Sequence, residues 1–207
     1  MRTRIRFAFP TTLALGLLAV TWPAEAQIVY TRTNITIGPN SSYNLDLNND
    51  GVTDFIISTS QSKGFCAPYL SHSVTNTLAE TPVSGNGAAG SSPTNLEKGD
   101  QIGPSQTFYE GTGTMAWFNS CFVEGVEGSY HFEGTGGDNW MGYKSCGFFC
   151  LIPIGLEGYL GLTFQIDGET HYGWVLVRVS NKVVQIRLLG YAYETIANMP
   201  INAGQTK

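Results

Sequence analysis

Charge is scarce in this 207-residue chain: Asp, Glu, Lys and Arg make up 13% of it, and the 11 basic residues are outnumbered by 16 acidic ones. Without a basic face the chain cannot track nucleic-acid phosphates, and it has little to offer an anionic lipid surface. Histidine is equally scarce, with only His72, His131 and His171. Neither His-Glu-x-x-His nor Gly-x-Ser-x-Gly occurs, so two common hydrolase signatures are missing. No stretch carries the 3.6-residue periodicity of a useful amphipathic helix. Beyond the N-terminal segment no apolar run is long enough to span a bilayer. What the chain has instead is 25 glycines and 12% aromatic residues. Low charge with abundant glycine and aromatics points to an all-β fold.

The N-terminus sets the compartment. Arg2, Arg4 and Arg6 form a positive n-region, and Phe7 to Val20 is apolar apart from Thr11 and Thr12. Ala24-Glu25-Ala26 then supplies a small-x-small cleavage site before Gln27. The apolar run is short and broken by Pro10, which favours a cleaved signal over a membrane anchor. Residues 1–26 are therefore expected to leave, with 27–207 secreted as one domain, extracellular or periplasmic, and without stable membrane insertion. Three arginines and Glu25 depart with the signal, leaving 8 basic and 15 acidic residues, a net charge of −7. The remaining 181 residues suit a single core of substantial size.

The strongest chemical motif is Asp46-Leu47-Asn48-Asn49-Asp50-Gly51-Val52-Thr53-Asp54. Calcium takes oxygen ligands in a flexible shell. Asp46, Asp50 and Asp54 place carboxylates at positions one, five and nine, Asn48 offers an amide oxygen at position three, and the Val52 backbone carbonyl falls at position seven. Gly51 permits the sharp turn that returns the later ligands toward the ion. An EF-hand would need Glu at position twelve, where this chain has Ile57, and helices on either side. The flanks Tyr43-Asn44-Leu45 and Phe55-Ile56-Ile57-Ser58 read instead as strands. The nine residues resemble the Asp-x-Asp/Asn-x-Asp-Gly-x-x-Asp loops of integrin-type FG-GAP repeats, where a hairpin carries calcium. The Phe-Gly and Gly-Ala-Pro elements are absent and no second copy occurs, so no propeller is implied. The competing reading is a solvated turn of the kind Asn, Asp and Gly favour anyway.

All four cysteines, Cys66, Cys121, Cys146 and Cys150, fall after the signal. An even count in an exported chain argues for two disulfides. Three pairings are open. Cys66–Cys121 with Cys146–Cys150 is the favoured one, and closing the longer loop would contribute on the order of 4 kcal/mol. The spacing of Cys146 and Cys150 is not that of thioredoxin-like pairs, and no zinc-finger histidines accompany them.

Strand patterns run along most of the chain. Ile28 to Ile37 alternates and ends at Gly38-Pro39-Asn40, a turn signal. Pro82 to Pro93 is poor in large apolar groups and reads as a flexible surface loop. At the C-terminal end Leu160, Leu162, Phe164 and Ile166 share one strand face. Asp167-Gly168 is a favoured two-residue hairpin turn. On the returning strand Val175, Val177 and Val179 oppose Tyr172, Trp174 and Leu176. After a turn at Asn181-Lys182 a third strand follows, giving a meander apolar on both faces and hence central. The expected fold is a single antiparallel β-sandwich, jelly-roll-like, with long glycine-rich loops.

The strings Gly158-Tyr159-Leu160-Gly161-Leu162-Thr163-Phe164, Thr170-His171-Tyr172-Gly173-Trp174 and Gly190-Tyr191-Ala192-Tyr193-Glu194-Thr195 resemble a group of exported bacterial β-rich proteins with no established activity. Some of its members end in a PEP-CTERM-type sorting segment. The signal and the Asp/Asn-rich loop fit the same group. The resemblance implies location and fold flavour, and no reaction. This chain stops at Lys207 without a Pro-Glu-Pro motif or basic tail, so membrane sorting is not expected.

For function, His171 is the most tempting catalytic candidate, yet it reads as a strand histidine packed against aromatics. Glu110, Glu124, Glu127, Glu133, Glu157 and Glu169 could supply the carboxylate pair of a glycoside hydrolase, but no spacing selects two of them. The preferred expectation is non-catalytic: a calcium-stabilised carbohydrate-binding or adhesion module. Its partner would be an extracellular glycan or a cell-surface component. Tyr109, Trp117, Tyr130, Trp140 and Tyr143 are candidates for a sugar-stacking platform. The alternative is a structural cell-surface or matrix protein without a small ligand.

Overall fold

The computed structural model describes residues 27–65, 70–123, 140–147, 150–179 and 185–207. The signal segment, Cys66, Tyr130, His131, Glu124, Glu127, Glu133 and the Asn181-Lys182 turn lie outside these residues. The described residues form β1 (Ile28–Ile37), β2 (Ser42–Leu45), β3 (Phe55–Phe65), β4 (Leu70–Glu80) and β5 (Gly87–Ala89). The short strands β6 (Asn95–Leu96), β7 (Gln101–Ile102) and β8 (Phe108–Tyr109) follow, then β9 (Thr112–Val123), β10 (Met141–Gly147) and β11 (Cys150–Gly155). The chain closes with β12 (Glu157–Ile166), β13 (Glu169–Val179), β14 (Ile186–Glu194) and β15 (Ile201–Asn202).

The fold is all-β, built from antiparallel sheets packed face to face. The larger sheet runs β1-β14-β13-β12-β5-β8, with β6 also on β12, and the second runs β2-β3-β4-β9. The pairs β10-β11 and β15-β7 form two small ribbons. The meander read from the C-terminal sequence is the centre of the larger sheet. Its first turn has the geometry that Asp-Gly favours: φ is +52° at Asp167 and +83° at Gly168, and Ile166 pairs with Glu169.

Period-two alternation explains the layers. Leu160, Leu162, Phe164, Val175, Val177 and Val179 point to one face and meet Leu45, Phe55, Ile57 and Met115 from the second sheet. The opposite face of the larger sheet carries Tyr172, Trp174 and Ala192 and is covered by Ile102, Ile201 and Ala203. The larger sheet is thus buried on both sides, which is why its strands are apolar at consecutive positions.

The segment Pro82 to Pro93, read as a flexible surface loop, is instead partly internal. Asn86, Gly87, Ala88 and Ala89 are buried, and β5 pairs with β12 at Leu162↔Ala88 and Thr163↔Gly87. Small residues are what this position requires, because a Cβ on Gly87 would come within 2.8 Å of Phe108 Cβ.

Candidate calcium loop

The Asp46–Asp54 segment joins β2 to β3, whose pairing ends at Leu45↔Phe55. The Asp54 N–H closes the loop onto the Leu45 carbonyl at 2.9 Å. Leu45, Leu47 and Phe55 are fully buried, so three apolar anchors seat a polar loop on the end of the sandwich. Leu47 enters where β13 has no side chain. A Cβ on Gly173 would lie 2.8 Å from Leu47 Cδ2 and 2.7 Å from the Ala192 carbonyl oxygen. Asn49 and Gly51 take positive φ, +60° and +89°, a conformation open to Asn and Gly at little cost.

The loop's carboxylates are oriented by its own backbone. Asp46 accepts from the Gly51 N–H at 2.8 Å and the Asp50 N–H at 3.2 Å. Asp50 accepts from the Val52 N–H at 2.7 Å and the Asn48 side-chain amide at 2.8 Å. Asp54 Oδ2 accepts from the Leu47 N–H at 2.8 Å. Asp46 is half-buried and Asp50 exposed, whereas Asp54 is only 3% exposed. Val52 turns its side chain to solvent.

Burial pushes the Asp54 carboxyl up to about 6, and the charges of Asp50 and Asp46 add to the rise. The Leu47 N–H and the Asn86 hydrogen bond oppose it. The negative field extends further. The Tyr193 hydroxyl is raised by burial and then by Asp46 and Asp50, and that of Tyr43 by burial, Tyr191 and Asp46.

Among the described residues no three His, Cys, Asp or Glu side chains lie close enough together, as placed, to enclose an ion. The donor set is nonetheless of the type that calcium takes. It consists of hard oxygens only, and a carboxylate oxygen that accepts one N–H retains a second lone pair. By donor chemistry, these residues suit a calcium ion. Asp46, Asn48, Asp50 and Asp54 would hold it, and it would neutralise carboxylates that otherwise repel one another.

A residue missed in the sequence completes the loop's support. Asn86 is fully buried, donates to the Asp54 carbonyl at 3.1 Å, and accepts from the Gln165 N–H at 3.1 Å. It ties the loop to β12. Its only sequence signal is Ser-Gly-Asn-Gly, which reads as a turn.

Of the residues expected in a stacking platform, Tyr130 lies outside the described residues and Trp140 is not at the surface. Trp140 is fully buried in the core between the sheets, and its indole N–H donates to the Pro93 carbonyl at 3.0 Å. A large apolar ring with one satisfied polar atom is a core residue, and no face of it is left for a sugar. Tyr109 is 37% exposed on the edge strand β8, with its hydroxyl 3.3 Å from the Thr112 carbonyl. Trp117 stands opposite Asn76 in the β9–β4 register, and Tyr143 opposite Pro153 in β10–β11. Cys121 lies opposite His72, and Cys150 opposite Gly147.

His171 is 5% exposed, with Nδ1 2.9 Å from the Glu194 carbonyl oxygen and its ring 6.0 Å from that of Phe164. Glu157 is engaged by Arg178, and Glu169 opens β13 at the surface. Comparisons with models of known protein families, with characterised proteins and with solved structures returned no match.

Proposed function

We propose that this is an exported, non-catalytic β-sandwich module that takes a structural calcium ion at Asp46–Asp54 and serves as a structural or adhesive component of the cell surface or matrix. One observation carries the reading. A buried carboxylate, Asp54, accepts from the Leu47 N–H beside two further carboxylates on a single turn, and the Asp54 backbone carbonyl is held by the Asn86 side chain. Such a cluster is unfavourable unless a proton or cation compensates it, and an extracellular setting supplies calcium. The cation would lock the β2–β3 hairpin to the sandwich end. The glycan-stacking reading loses support because Trp140 belongs to the core.

Calorimetry on the purified exported protein tests the proposal, with calcium as one titrant and a panel of soluble polysaccharides as the others. The expected result is saturable calcium heat, lost in Asp50→Ala, and no polysaccharide heat. Polysaccharide binding would replace the structural role by a glycan-binding one, and absence of calcium heat at millimolar concentration would remove the metal site.

A further inference from the structure

Glu194 is a carboxylate in an unusual place. It ends β14, is 1% exposed, and among the described residues no Lys or Arg pairs with it. Burying a carboxylate without a countercharge is costly. Its Oε1 accepts from the Ile196 N–H at 2.9 Å and from the Gln27 backbone nitrogen at 3.1 Å. Gln27 is fixed at its other end as well, because its carbonyl accepts from the Thr195 N–H at 3.1 Å. Ile28 pairs with Glu194 in the β1–β14 register, so edge strand β1 delivers the nitrogen of Gln27 to this carboxylate.

Gln27 is also the residue that follows Ala24-Glu25-Ala26, the small-x-small site after the apolar segment. We propose that signal cleavage before Gln27 frees an α-ammonium that forms an ion pair with the buried Glu194 carboxylate, so that export processing supplies the missing countercharge and completes the docking of β1. In the uncleaved chain the same nitrogen is a neutral peptide N–H. Hydrolysis of the Ala26–Gln27 bond turns it into a cation where the carboxylate waits, and a charge-assisted bond is roughly twice as strong as a neutral one. Among the described residues the only other titratable group touching Glu194 is His171, through the backbone carbonyl. The inference rests on the export reading, not on calcium.

The test is a double-mutant cycle on protein beginning at Gln27. One arm adds a single glycine before Gln27, which restores a peptide N–H and moves the charge away. The other is Glu194→Gln, which keeps the shape and an acceptor oxygen. The added glycine is expected to lower Tm by about 4 °C or more with Glu194 present and by less than half as much in Glu194→Gln. Equal losses in both backgrounds would overturn the ion pair. NMR titration of the α-amine needs no variant to fold. A value above the ordinary one of about 8 is expected, and a value at or below it overturns the pair. Intact mass has to show an open Gln27. A lactam formed by attack of the α-amine on the side-chain amide, with loss of ammonia, carries no charge and would overturn the proposal. N-terminal sequencing of exported protein keeps the two failures apart. A start elsewhere than Gln27 overturns the processing step, whereas a start at Gln27 with no coupling in the cycle overturns the pair alone.

Discussion

Asp54 holds its carboxyl at about 6 when folded against 3.8 for the free side chain, chiefly through burial. Between those values the unfolded chain has lost its proton and the fold keeps it. Without calcium, stability should therefore fall as pH rises from about 4 to about 6 and level off above. The fall is at most about 3 kcal/mol. Asp54→Asn leaves an oxygen for the Leu47 N–H and removes the charge, so its stability should be flat across that window. Melting temperature against pH in chelator checks this, and an equal slope in wild type and variant contradicts it. Calcium at the proposed site would bind the ionised form, so its stabilisation should be larger at pH 7 than at pH 4. Trp140 makes a different prediction at the same scale. Trp140→Ala should cost about 3–5 kcal/mol in denaturant unfolding, as expected of a filled core site. A change below about 0.5 kcal/mol would instead mark it as a surface residue.

Among the elements, the β12–β13 hairpin was the most legible. Its alternation, its Asp167-Gly168 turn and its apolar character on both faces are local properties, and the structure uses each of them. The nine-residue loop between β2 and β3 was legible as a connection for a similar reason, since its turn residues and the strands on either side are contiguous in sequence. The segment around β5 was not legible. Its burial comes from backbone pairing with β12 more than seventy residues away, and its small residues look like loop residues until that partner is known. Trp140 misled for the same reason, because its glycine-rich surroundings suggest a surface loop while Pro93 and the packed sheets enclose it. Asn86 bridges the two elements, so Asn86→Ala should cost about 1–3 kcal/mol by leaving the Gln165 N–H and the Asp54 carbonyl short of a partner. It should also weaken calcium binding without touching a ligand. Urea unfolding with and without calcium measures both, and a variant with unchanged calcium response would mean that the loop does not depend on β12.

At the scale of the whole molecule, one sheet is shared by two cores, and the proposed calcium loop sits at one end of the first of them. Leu47 over Gly173 and Asn86 against Gln165 connect that loop to the central strands, so occupancy of the loop should be felt by global unfolding rather than by local fraying. The most direct measurement is a thermal melt of wild-type protein in chelator and at increasing calcium. A cation that binds the fold and not the unfolded chain stabilises by roughly 2.7 kcal/mol at a hundredfold excess over its dissociation constant. For a domain of this size that corresponds to a rise of about 5–10 °C. The expected result is a single transition that moves upward with the logarithm of calcium and does not move in Asp50→Ala. A wild-type melting temperature that is the same in chelator and in millimolar calcium would contradict the calcium site.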